Sequence, residues 1–179
     1  MLLDADDNIK LSDFGVSLLL PEDGNDKVKS NAGSALFYSP EACIGTMYKG
    51  RLNDIWACGI TLFYMATGKY PFESSEHSKL YRLIQTTEPD YPPELVNTPM
   101  HDLICKLLKK AAEDRITIEQ VKKHTWITKG GTEPLKDVYV DEFTAPTATE
   151  LEKAFTTHVK REKFIYHRKI QEDEHSNFN

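Results

Sequence analysis

Three cysteines, Cys43, Cys58 and Cys105, are scattered without metal-ligand spacing. That excludes a disulfide framework and a thiolate metal site, and it points to reduced thiols in a cytoplasmic or nuclear protein. Positive charge is in deficit: 22 Lys and Arg stand against 28 Asp and Glu, for a net charge of −6 and a pI near 5.5. A partner that must be neutralised by basic surface, nucleic acid above all, is excluded as the main ligand. No signal peptide opens the sequence, and the longest uncharged run, residues 55–68, would make a helix of about 20 Å, short of the roughly 30 Å of a bilayer core. No membrane contact is therefore expected. Internal repeats and low-complexity tracts are also missing, which leaves an ordinary globular chain of 40% hydrophobic and 28% charged residues. At 179 residues it is long enough for one domain with a proper core.

The uncharged run is the feature the rest must be arranged around. Asn53 to Gly68 reads as one helix with apolar residues on every face, which needs cover on all sides. Asn53 or Asp54 can cap its start, Gly68 suits its end, and Pro71 stops it. Before it, residues 1–3 and 9–12 flank the polar turn Asp4–Asn8, and the alternation of Ile9 and Leu11 with Lys10 and Ser12 predicts a hairpin with one buried face. Residues 16–36 have no periodicity and read as a long surface loop of the kind that is functional or disordered. Ser39-Pro40-Glu41 opens a helix by its cap, first-turn proline and acid. Further helices are predicted over residues 79–86, from Thr98-Pro99 onward, and from a Thr117/Gln120 capping box. Strands are expected only at the start, so the fold class is mainly α.

Asp13-Phe14-Gly15, Gly33-Ser34, Ser39-Pro40-Glu41, Asp54-Ile55-Trp56-Ala57-Cys58-Gly59, Gly68-Lys69-Tyr70-Pro71-Phe72, Asp114-Arg115-Ile116-Thr117 and His124-Thr125-Trp126 follow one another in this order. Over residues 1–128 the sequence thereby resembles the C-terminal lobe of a eukaryotic serine/threonine protein kinase, from just after the catalytic loop, with the N-lobe absent. Gly24-Asn25-Asp26 and the stretch 126–135 resemble the calcium/calmodulin-dependent protein kinase kinases and their relatives that activate AMP-activated-type kinases.

The resemblance implies transfer of the ATP γ-phosphate to Ser or Thr of a protein substrate, itself a kinase in that subfamily, with ATP and Mg²⁺ as cofactors. Asp13 would hold the magnesium, for which a hard carboxylate oxygen is suited. Phe14 would be a core plug, and Gly15 would let the chain turn. Ser34 stands in the substrate-receiving loop where the family usually has Thr, beside Gly33. Ser30 occupies the usual activating phosphosite, although a solvated loop serine explains it equally well. Glu41 should pair with Arg115, and Asp54, besides capping its helix, would accept N–H bonds from the catalytic loop. Trp56 and Trp126 are core packing on either reading.

Several parts of such an enzyme do not occur in the 179 residues: a glycine-rich loop, a Val-Ala-x-Lys, and a His-Arg-Asp with its following Asn. Leu2-Leu3-Asp4 matches the tail of the catalytic loop, and Met1 stands where the family has Leu. The expectation is that Met1 is an internal methionine of a longer reading frame and that the chain alone is inactive and poorly soluble. The competing class is a non-catalytic interaction module built on a kinase lobe. Residues 129–179 read as a polar extension with a helix over 149–171, where Leu151, Phe155 and Val159 share a face and Lys160, Arg161, Lys163, Arg168 and Lys169 make it basic. Such a helix can be a calmodulin target, but a merely solvated charged helix is the simpler reading.

Overall fold

The computed structural model describes residues 2–3, 5–21, 24–30, 32–135 and 149. Of the extension expected over 129–179, only residues 129–135 and Thr149 are described, and the rest, with the helix expected over 149–171, lies outside the described residues. The elements described below all belong to the compact unit Met1–Lys136.

Its centre is α2 (Gly50–Thr67), an 18-residue helix ended by Gly68 in the left-handed conformation at φ 71°. The helix starts three residues earlier than Asn53. Lys49 holds the cap position without a side-chain bond, so the expected capping by Asn53 or Asp54 is corrected. Asn53 instead accepts the Ser39 N–H at 3.2 Å. Cover is also one-sided rather than complete: Ile55, Trp56, Gly59, Ile60 and Phe63 are buried, whereas Cys58, Tyr64 and Met65 are exposed.

Two helices cover the buried stripe. In α3 (His77–Thr86), Leu80 and Ile84 point inward. In α4 (Pro99–Leu107), Leu103, Ile104 and Leu107 do so, and Thr98 accepts the His101 N–H as N-cap. The closest approach is between α2 and α4 at Gly59, where a Cβ would lie 2.7 Å from Leu108 Cδ2 and 2.9 Å from Leu107 Cβ. Hydrogen alone fits there. The main core joins Trp56, Ile60, Phe63, Phe72, Leu80, Ile84, Leu95, Ile104 and Leu108. A smaller one joins Ile55, Leu103, Leu107 and Ile116, with Trp126 packed at its edge. Short α1 (Pro40–Cys43) is capped by the Ser39 hydroxyl, and α5 (Ile118–Lys122) has the full Thr117/Gln120 capping box.

Strands β1 (Leu2–Leu3) and β2 (Ile9–Lys10) pair antiparallel. Both are exposed on both faces, so the hairpin forms without the buried face its alternation predicts. The expectation of strands only at the start is likewise overturned. β3 (Lys27–Val28) inside the long loop pairs antiparallel with β4 (Tyr48–Lys49) ahead of α2. At two residues each, these strands are too short for any period-2 signal, and Gly50 N–H to Asp26 O at 2.8 Å extends the pairing.

Candidate functional site

The segment from Asp13 to Glu41 starts in a tight turn. Asp13 has φ 65°, and its Oδ1 accepts the Gly15 N–H at 3.3 Å. Any Cβ on Gly15 would meet that same oxygen at 3.3 Å, so glycine keeps the carboxylate uncrowded. Ser17 closes the turn by donating from its hydroxyl to Phe14 O at 2.6 Å. Phe14 is 68% exposed, which corrects the core-plug expectation. The turn carries its ring outward, away from the Trp56 core.

Asp54 stands not at a helix cap but across a cavity of about 350 Å³ that Asp13 also lines, with Ser17, Ser30, Tyr48 and Asn53. Burial pushes the Asp54 carboxyl above its ordinary value. That two acids 41 positions apart (54 − 13 = 41) line one cavity has no local sequence signal, because only the tertiary fold brings them there. Among the described residues no group of three His, Cys, Asp or Glu side chains gathers as a metal cluster. Asp13 would be the one protein carboxylate here to hold a magnesium ion, and its uncrowded, hard oxygen suits that ion.

Ser30 borders the same cavity. Its hydroxyl accepts the Ala32 N–H at 3.1 Å, and its carbonyl accepts the Tyr48 hydroxyl at 3.0 Å. Lys27, three residues before it, is the direct cross-strand partner of Lys49, an unfavourable pairing of like charges. Gly33, at φ 92°, makes the left-handed turn that delivers Ser34 to the head of a 3₁₀ turn, Ala35–Phe37. Gly33 and Ser34 line a second cavity, of about 520 Å³, with Tyr38, Cys43, His77 and Tyr81. The Tyr38, Tyr81 and His77 rings stack along it, with centroids 6.2 and 6.1 Å apart. Sequence reasoning missed this aromatic wall, since Tyr38 ahead of α1 and His77 and Tyr81 in α3 are brought together only by the tertiary fold.

The far end of the segment is fixed to the core. Arg115 Nη1 and Nη2 donate to Glu41 Oε1 and Oε2 at 2.8 and 3.0 Å. Nη1 also donates to Leu52 O at 2.7 Å, and Nε and Nη2 donate to Lys109 O, each at 3.2 Å. The Arg115 side chain is fully buried, and its guanidinium lies 5.3 Å from the Trp56 ring centroid. Burial alone would raise the Glu41 carboxyl, but the Arg115 hydrogen bonds and charge outweigh it and hold Glu41 below its ordinary value. Nearby, His124 accepts the Trp126 N–H on Nδ1. That leaves the proton on Nε2, which donates to Asp102 at 2.8 Å.

The protein kinase domain family model matches residues 1–127. Serine/threonine-protein kinase GRIK1 of Arabidopsis thaliana is 37% identical over 128 residues, covering 72% of this chain and 32% of that protein. Testis-specific serine/threonine-protein kinase 2 of Mus musculus is 34% identical over 131 residues, with 71% and 37% covered. CBL-interacting serine/threonine-protein kinase 24 of Arabidopsis thaliana is 36% identical over 126 residues, with 70% and 28% covered. The chain thus spans about a third of the length of these relatives.

Proposed function

The chain belongs to the protein kinase family, among its eukaryotic serine/threonine members, and from that premise we propose that residues 1–128 are the helical C-terminal part of a catalytic domain that phosphorylates Ser or Thr on proteins. The observation that carries the reading is the Arg115 anchor. It ties Glu41, the end of the segment that begins at Asp13, to the centre of the core by a bidentate buried pair. A loop that must receive a substrate needs one such immobile end, because positioning supplies much of the catalysis in phosphoryl transfer.

In this reading Asp13 binds magnesium through its carboxylate, and Gly15 leaves that carboxylate room. With ATP bound, a magnesium ion held there would supply neutralisation of phosphate charge. Ser34 offers its hydroxyl to the incoming substrate segment, and the Tyr38–Tyr81–His77 wall forms the other side of that cavity. Phosphorylation of Ser30 would add charge of about −1.5 to −2 to the loop that β3 ties to β4, three residues after Lys27. The subfamily is that of the calmodulin-dependent kinase kinases, and the substrate is another kinase; support comes from Gly24-Asn25-Asp26 and residues 126–135. Calmodulin as a partner of 149–171 rests on the basic, amphipathic character of that segment and on the subfamily reading.

A chimera tests the assignment. The chain is joined, in register, behind the N-lobe and catalytic loop of a serine/threonine kinase relative and assayed with Mg·ATP and a Ser/Thr peptide. Phosphorylation that Asp13→Ala abolishes is the expected result. A folded, ATP-binding chimera with no transfer would refute it and leave the interaction-module alternative.

A further inference from the structure

The cysteines occupy three different chemical settings, and one of them is built for reactivity. Cys105 is half-buried on α4, and His101, one turn earlier on the same helix, brings Nε2 to 3.5 Å from its sulfur. The Tyr91 hydroxyl, 3.6 Å from the sulfur, is the alternative acceptor for the thiol's single hydrogen, which neutral His101 Nε2 can take instead, and the Tyr91 ring stands edge-on to His101 with centroids 4.5 Å apart. The spacing of four places both side chains on one helix face, and the packed Tyr91 ring limits how far the imidazole can swing. Phosphoryl transfer as read above uses none of these groups.

Among the described residues no imidazole lies at hydrogen-bonding distance from either of the other two thiols, and both are disfavoured as thiolates. Burial, with Glu41 second, pushes the Cys43 thiol up to about 11. Burial, with Asp54 second, also raises Cys58, although that residue is the exposed one of the three. Exposure alone would therefore rank Cys58 as the first thiol to react. A thiol within reach of an imidazole is the arrangement that turns a cysteine into a nucleophile at neutral pH.

We propose that His101 and Cys105 act as base and nucleophile, making Cys105 a modification site that exchanges with the disulfide of a small thiol. The Sγ proton passes to His101 Nε2, and the thiolate attacks one sulfur of the disulfide. A new S–S bond forms as the old one breaks. The departing thiolate recovers the proton from the imidazolium, so Cys105 is oxidised to a mixed disulfide while half of the reagent is reduced to a thiol. The adduct would press on Tyr91, which also packs edge-on against Phe63 of the main core at 5.6 Å.

The test uses the full 179-residue chain with limiting iodoacetamide at pH 7, the labelling of each cysteine being followed by peptide mass spectrometry. Cys105 is expected to react roughly tenfold faster than Cys43 and several-fold faster than Cys58. His101→Gln should slow Cys105 by about fivefold or more and leave Cys58 unchanged. Labelling that reaches Cys58 first, or a folded His101→Gln chain whose Cys105 rate is unaltered, overturns the proposal. Should His101→Gln lose its helical circular dichroism, Tyr91→Phe gives a second reading. It keeps the ring and leaves the imidazole beside the thiol, so the Cys105 rate should hold or rise; a fall to that of Cys43 refutes the pair. Glutathione disulfide should then add one dithiothreitol-releasable glutathionyl group at Cys105, and an adduct mapped to Cys58 instead counts against it.

Discussion

Arg115 is 3% exposed, and its guanidinium is engaged by Glu41 and by two backbone carbonyls. Removing it leaves a half-buried carboxylate and two carbonyls without their donor. Arg115→Ala should therefore cost about 3–5 kcal/mol in urea unfolding. A double-mutant cycle with Glu41→Gln should return a coupling above the roughly 0.2–1 kcal/mol of exposed pairs; additive effects would show that the two do not interact. Because the folded Glu41 carboxyl titrates below its ordinary value of 4.5, its contribution is present above that pH and is lost as the pH falls through the folded value. The stability gap between wild type and Glu41→Gln should accordingly narrow below about pH 4.5. This pair was readable only through family order, since no periodicity links positions 74 apart. The outward ring of Phe14 was unreadable for the converse reason, as motif order says nothing about which way a side chain faces.

At the scale of elements, local chemistry was informative wherever the signal lay within a turn or two of chain. The Ser39, Thr98 and Thr117 caps and the Gly68 stop all stand where side-chain oxygen, proline and glycine put them. The start of α2 was misplaced because Asn53 resembles a cap, while its side chain actually serves Ser39. β3 and β4 escaped notice because two-residue strands depend on a partner about twenty residues away. Gly59 inside α2 is explained by α4 lying against it. Gly59→Ala is worth about 1 kcal/mol in helix propensity, but overpacking against Leu107 and Leu108 costs about 1–3 kcal/mol. We expect a lowered melting temperature, and a rise would mean that α4 shifts freely.

For the molecule as a whole, Leu2, Leu3, Ile9, Leu11, Phe14, Val16, Leu18 and Leu19 are each at least 58% exposed. So much apolar surface along residues 2–19 should make the isolated chain self-associate and bind an apolar dye; a monodisperse, dye-silent monomer in light scattering would contradict this. With no His-Arg-Asp or Val-Ala-x-Lys in its sequence, the isolated chain should not label a Ser/Thr peptide from radioactive ATP, and turnover sensitive to Asp13→Ala would prove otherwise. Trp56 at the centre, 0% exposed, has the Lys110 ammonium 5.2 Å from its ring centroid and the Arg115 guanidinium at 5.3 Å. Burial pushes the Lys110 amine down to about 8, so mild alkali should discharge one of these cations while the other stays charged. In a Trp126→Phe background, the indole emission should therefore change in wavelength or yield around pH 8, with Lys110→Gln flattening the response. The buried indole would then report by its own light when the neighbouring lysine gives up its proton.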